Sequence, residues 1–188
     1  MQFEILAPAG SWDALVAGVR CGANAVYLGG KSLSARRNAG NFNDEELERA
    51  AEYCSARGVK IHLAVNTLCK DGEFEDAYDL VSHALSCGVD EFIVQDLGIA
   101  QMIRNCFPQA RLHASTQTSV MTSSGVAALK ELGFSRVVLP REMSFDEIKE
   151  ISDSTDMELE MFVHGALCMS VSGQCYICLL YTSPSPRD

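Results

Sequence analysis

Residues 87–96 read CGVDEFIVQD, and three other stretches repeat their plan: CGANAVYLGG at 21–30, RGVKIHLAVN at 57–66 and LGFSRVVLPR at 132–141. Each carries a glycine at its second position (Gly22, Gly58, Gly88, Gly133), where an amphipathic helix reverses out of its last turn. Glycine accepts the left-handed backbone needed there. A short, nearly continuous apolar run follows, as in strands covered on both faces, and then a polar loop. Helix starts agree with this plan. Asn43 or Asp44 opens DEELERAAEYCSARG with acidic residues against the positive end of the helix dipole. Ser144 with Glu147 forms a capping-box pattern ahead of EIKEI.

Seven strands are expected near residues 3–7, 24–28, 59–65, 91–95, 111–114, 136–139 and 157–163, with helices after the first six. Strands and helices alternating with right-handed connections give a parallel sheet. Polar residues recur at or just beyond the strand ends: Asn66, Gln95 with Asp96, His113 with Ser115 and Gln117, Arg141 with Glu142, and His164. In a barrel those ends converge on one face, whereas a doubly wound sheet spreads them along a crevice. The recurrence favours an α/β fold: an incomplete (β/α)8 TIM-barrel-like parallel barrel with about seven βα units. A complete barrel takes about 250 residues, and this chain has 188. Residues 1–177 therefore read as a truncated barrel domain without its eighth strand. Residues 178–188, with two prolines and no apolar periodicity, read as a non-native read-through tail.

A hydrophobic content of 47% is enough for a buried core. No uninterrupted apolar run reaches the roughly 18 residues of a membrane span, and MQFEILAPAG reads as a first strand rather than an export signal. Eight cysteines without such a signal point to a reducing, cytoplasmic setting. Cys21, Cys54, Cys87 and Cys106 have no metal-ligand spacing and read as structural. The formal net charge of −10 argues against indiscriminate binding to nucleic acid, although a small positive pocket is compatible with it.

The chemistry concentrates in ELEMFVHGALCMSVSGQC, residues 158–175. It starts as a strand, breaks at Gly165 and presents Cys168 and Cys175 in a loop of small residues. Such thiolates suit iron–sulfur or zinc ligation, or nucleophilic attack. Neither HExxH nor GxSxG occurs, so proteolysis here would need another device, such as Cys168 paired with His164 or His113. A second group is cationic. Lys31, Arg36 and Arg37, with Asn38, Gly40 and Asn41, follow the second strand, and Arg141 follows the sixth. Together with His113 and Gln117 they are expected to hold a carboxylate or phosphate: an anionic small molecule, an RNA backbone or a peptide C-terminus. Asp96 is either a group that orients a base or a helix N-cap before Leu97. Glu142 reads as an ion-pair partner of Arg141, His62 and His83 as structural, and Trp12 and Tyr27 as packing between the first helix and the barrel.

The ordered segments APAGSWDAL, AVYLGGKSLSARRNAGNF, VNTL, VQDLG, HASTQ, RVVLPRE and FVHGALC resemble the collagenase-like peptidase U32 family. Its signature is matched by Glu160, Phe162, Gly165, Ala166, Leu167, Cys168, Gly173 and Cys175, while Cys178 stands where a serine is usual. The resemblance covers residues 3–177 and implies a barrel-like catalytic domain of bacterial or archaeal type. It also implies one of two activities. One is peptide hydrolysis by an unidentified mechanism. The other is hydroxylation of transfer RNA, ribosomal RNA or ubiquinone precursors, linked to prephenate as a co-substrate. In the second case Cys168 and Cys175 correspond to the first two of four cysteines that hold a 4Fe–4S cluster, and a partner subunit of the same family is conceivable. We expect cluster-dependent hydroxylation of RNA or a similar aromatic substrate, with a Cys/His or metal-assisted peptidase as the alternative. A third reading is an inactive fragment or binding scaffold.

Overall fold

A computed structural model describes residues 3–31, 33–34, 41–165 and 170–173. Seven parallel strands run in chain order around one sheet: β1 (Leu6–Pro8), β2 (Ala25–Gly29), β3 (Lys60–Val65), β4 (Glu91–Val94), β5 (Arg111–Ala114), β6 (Phe134–Val138) and β7 (Glu158–Glu160). Between them lie α1 (Trp12–Arg20), α2 (Asp44–Ser55), α3 (Phe74–Ser86), α4 (Leu97–Cys106), α5 (Ser123–Glu131) and α6 (Phe145–Ser154). This is the expected incomplete α/β barrel. Among the described residues β1 pairs only with β2 and β7 only with β6, leaving a seam between them. The expected tail, 178–188, lies outside the described residues.

The local signals act as physical chemistry requires. Gly22, Gly58, Gly88 and Gly133 all have positive φ, between 66° and 93°, at the helix exits. Asn43 caps α2 and Ser144 caps α6, each in a reciprocal capping box with Glu46 and Glu147. Trp12 differs from expectation. Its ring meets Tyr53 edge-on, with centroids 5.4 Å apart, and lies 3.7 Å under the Arg49 guanidinium. It therefore ties α1 to α2.

The apolar core lies between sheet and helices. Val26, Leu28, Ile61, Leu63, Val65, Phe92, Val94, Leu112 and Val137 point outward and pack with Leu15, Leu47, Ala50, Val81, Ile99, Ile103, Val126 and Ile151. Strand alternation then sends the intervening residues into the barrel. Parallel barrels usually fill that space with branched aliphatic layers. Here β3 to β7 send in His62, Glu91, His113, Arg136 and Glu160, while Ala64 and Ile93 supply apolar filling. A bulge sustains this on β6: Leu112 pairs with Phe134 but His113 pairs with Arg136, so Ser135 is an extra residue. The bulge lets Phe134 face the outer core and still turns Arg136 inward.

Candidate active site

The polar residues form two storeys. The lower one fills the barrel interior. Glu91, 2% exposed, receives the Lys60 ammonium at 2.9 Å and Arg111 Nη1 at 3.3 Å on one carboxylate oxygen. His62 Nε2 approaches its other oxygen at 2.6 Å, and His113 Nε2 lies 3.5 Å from that same oxygen. The two imidazoles meet edge-on with centroids 4.8 Å apart. Arg136 donates to Glu4 at 2.6 Å and to Glu158 at 2.6 and 2.9 Å, and passes 3.5 Å from Glu160. One network thus joins the segment before β1 to β3, β4, β5, β6 and β7.

Burial and charge set the titration of this storey. Burial pushes the His113 imidazole down to about 2, helped by His62 and Arg136, so its ring is neutral across the ordinary pH range. Burial alone would raise the Glu91 carboxyl, but His62 and Lys60 beside it outweigh that and hold it well below the usual carboxylate range. Burial raises Glu160, and the nearby His62 and Arg136 only partly oppose it.

The upper storey is the mouth, at the carboxyl ends of the strands. Asn66, Gln95 and Ser115 follow β3, β4 and β5, and the Ser115 hydroxyl accepts the Gln117 N–H at 3.2 Å as the chain turns over Thr116–Thr118. Residues Val171–Gly173, from the stretch between Cys168 and Cys175, pack on this turn. Glu142 reaches over to accept the Ser172 N–H. Arg141 stacks on the Phe162 ring at 3.9 Å, and its Nε has no hydrogen-bond partner among the described residues. Asp96 accepts from the N–H groups of Gly98 and Ile99 at 2.8 and 3.1 Å, and from Cys69 N–H at 3.2 Å.

Several expected site residues are placed differently by this geometry. His113 is sealed inside β5 with no exposed surface, one storey below the mouth, because its position on the strand points it inward. It does not stand beside Gln117 or Arg141 to hold an anion there. Asp96 serves as N-cap and loop brace. Glu142 bonds a backbone N–H rather than forming the expected ion pair with Arg141. Lys31 borders a cleft with Phe42, Asn43, Asp44, Glu45 and Leu80, in which Arg141 takes no part. His164 is exposed immediately before Gly165. Arg36, Arg37, Asn38, Cys168 and Cys175 lie outside the described residues.

Sequence reasoning does not single out His62, Glu91, Arg136 and Glu158 as a group, although charged or imidazole residues at alternate positions in otherwise apolar strands are a signal for it.

The comparisons with known proteins agree with one another. Residues 10–187 match the model of peptidase family U32. The 23S rRNA 5-hydroxycytidine C2501 synthase of Escherichia coli (strain K12) is 40% identical over 94% of this chain and 26% of its own length. A tRNA hydroxylation protein P1 of Bacillus subtilis (strain 168) is 37% identical over 93% of this chain and 41% of its own length. A collagenase of Porphyromonas gingivalis (strain ATCC BAA-308 / W83) is 34% identical over 95% of this chain and 45% of its own length. The chain thus spans from a quarter to under half of these relatives. Among solved structures, the U32 peptidase Mk0906 superposes with a TM-score of 0.69 at 14% identity, covering 85% of this chain and 68% of that one, a likeness of fold. A parallel barrel matched to one family model over nearly the whole chain places it in peptidase family U32.

Proposed function

We propose that this chain carries the substrate-binding barrel of an enzyme that adds a hydroxyl group to a nucleobase of RNA, with Cys168 and Cys175 as two of four thiolate ligands of a 4Fe–4S cluster. The observation that carries the reading is the chemistry of the mouth. Among the described residues it offers amides, hydroxyls and a guanidinium stacked on an aromatic ring, which are groups that bind and orient. One of the two imidazoles that the sequence offers to activate Cys168, His113, is withdrawn into the barrel and held neutral. Relatives named as rRNA and tRNA hydroxylation proteins support the same direction.

Of the four thiolates the cluster needs, Cys168 and Cys175 would supply two. Cys168 and Cys175 flank Ser170–Gly173 in sequence, and Val171–Gly173 pack on the Thr116–Thr118 turn at the mouth. When bound, the cluster would supply electron transfer or Lewis acidity. The protein residues would position the base: Arg141 and Phe162 as a stacking and phosphate-binding pair, Gln117 and Asn66 at its polar edge, and Arg36, Arg37 and Asn38 on the backbone. An anionic co-substrate such as prephenate would use the same guanidinium groups.

The test is product mass. The full-length protein, purified anaerobically and incubated with unmodified RNA and prephenate as the co-substrate that balances the two-electron oxidation, is expected to yield nucleosides heavier by one oxygen atom. Arg141→Ala should weaken RNA binding, and Cys168→Ser should abolish the product. Peptide cleavage by a protein that leaves RNA unchanged would overturn the reading. A peptidase using His164 and Cys168 is the second reading, supported by the exposure of His164 four residues before that thiol and by the relative named as a collagenase.

A further inference from the structure

The lower storey contains buried polar atoms that the fold leaves unmatched. Among the described residues no hydrogen bond reaches either ring nitrogen of His62 or His113, Glu91 Oε2 or Glu160 Oε2. His62 and His113 have no exposed surface at all. The 2.6 Å approach of His62 to Glu91 is close but not aligned as a hydrogen bond. Buried polar groups in native proteins are matched by protein, water or an ion. These four come from four strands, β3, β4, β5 and β7, and face one another. His62, His113 and Glu160 each bring a donor atom within 4.8 Å of the other two. Glu91 Oε2 lies 2.6 Å from His62 Nε2 and 3.5 Å from His113 Nε2.

Charge points the same way. Four carboxylates, Glu4, Glu91, Glu158 and Glu160, are in contact with three permanent cations, Lys60, Arg111 and Arg136. With all four ionised, one negative charge is left over beside two imidazoles. An added cation meets that excess, whereas an anion would add to it. Arg136, 3.5 Å from Glu160 and bonded to Glu158 and Glu4, occupies the outer position that orients ligating carboxylates in metal sites.

We infer that the barrel interior binds one divalent first-row transition-metal ion on His62, His113 and Glu160, with Glu91 as fourth donor. Two imidazoles with carboxylates suit zinc, iron or cobalt, while calcium and magnesium call for oxygen donors throughout. The site uses neither Cys168 nor Cys175 and does not depend on the proposed reaction. It would cross-link β3, β4, β5 and β7 from within.

Cobalt is the probe. The full-length protein in a Cys168→Ser/Cys175→Ser background is stripped with a chelator and titrated with Co2+ without oxygen. One equivalent is expected, with weak visible d–d bands of nitrogen and oxygen ligation and no near-ultraviolet thiolate-to-cobalt band. His113→Gln and His62→Gln, checked for folding by circular dichroism, should each weaken binding by roughly 10- to 100-fold or more. If either variant fails to fold, paramagnetic proton NMR of the cobalt-loaded protein replaces it, and two exchangeable imidazole N–H signals are expected. No cobalt uptake, a thiolate band, fewer than two imidazole signals, or unchanged binding in the folded variants would overturn the site.

Discussion

His113 occupies a position where a parallel barrel normally stacks a branched aliphatic side chain, and it does so uncharged. Its ring titrates at about 2 in the folded protein against an ordinary value of 6.5. Below pH 6.5 the unfolded chain takes up a proton that the native protein refuses, so stability falls as pH drops. At pH 5 that loss amounts to about 2 kcal/mol. Denaturant unfolding at pH 7 and pH 5 should show it, and His113→Gln should flatten the difference. Glu91 acts in a lower window. Its depressed carboxyl contributes stability above its ordinary value of 4.5 and loses it as pH falls further. Asp96 makes a different case. Because it caps α4 and braces Cys69, Asp96→Ala is expected to lower stability by about 1–2 kcal/mol, with Asp96→Asn recovering most of it in the same urea titration. A sequence reader could see that Asp96 was either a cap or a chemical group, but only the three N–H groups aimed at it decide between them.

At the scale of elements, the sequence carried the helix exits, the capping boxes and the order of strands, because each is written in a few adjacent residues. Gly22, Gly58, Gly88 and Gly133 fall at positive φ, and Asn43 and Ser144 at caps, as local chemistry requires. The bulge at Ser135 was not legible. Nothing in FSRVV says that one residue will be skipped, and without the skip strand alternation would send Arg136 to the wrong face. For the same reason the inward network stayed hidden, since it depends on the register of five strands at once. Gly29 is a second place where neighbouring elements decide. A Cβ there would lie 2.5 Å from Ser34 Oγ and 3.0 Å from Asn41 Oδ1, so these two residues, on either side of Arg36 and Arg37 in sequence, approach β2 too closely for any side chain. Gly29→Ala should weaken RNA binding by displacing that segment, whereas Gly72→Ala, with open space around it, should leave binding unchanged. Filter binding of the two variants side by side checks this.

Across the whole molecule, Arg136 joins β6 to β7 and to the segment before β1, and so ties the two sides of the open seam through Glu158 and Glu4. Its side chain is 8% exposed, so removing it would strand the mostly buried Glu160 carboxylate and leave Glu4 with Lys60 and Glu158 with Arg111 as their remaining cations. Arg136→Met is expected to lose about 3–5 kcal/mol, while Lys149→Ala, which breaks an exposed pair with Asp153, should change stability by about 0.5 kcal/mol or less. Thermal melts of both variants make the comparison. The interior network thus ties the strands of the barrel together, while the proposed substrate site is at the strand tips above it, with Cys168 and Cys175 as the proposed cluster ligands. The most direct test of that assignment is the iron and acid-labile sulfide content of the full-length protein purified without oxygen, read with its visible sulfur-to-iron absorbance. The account predicts about four irons and four sulfides per chain, lost in Cys168→Ser and in Cys175→Ser and retained in Arg141→Ala. A colourless wild-type protein without sulfide would contradict it.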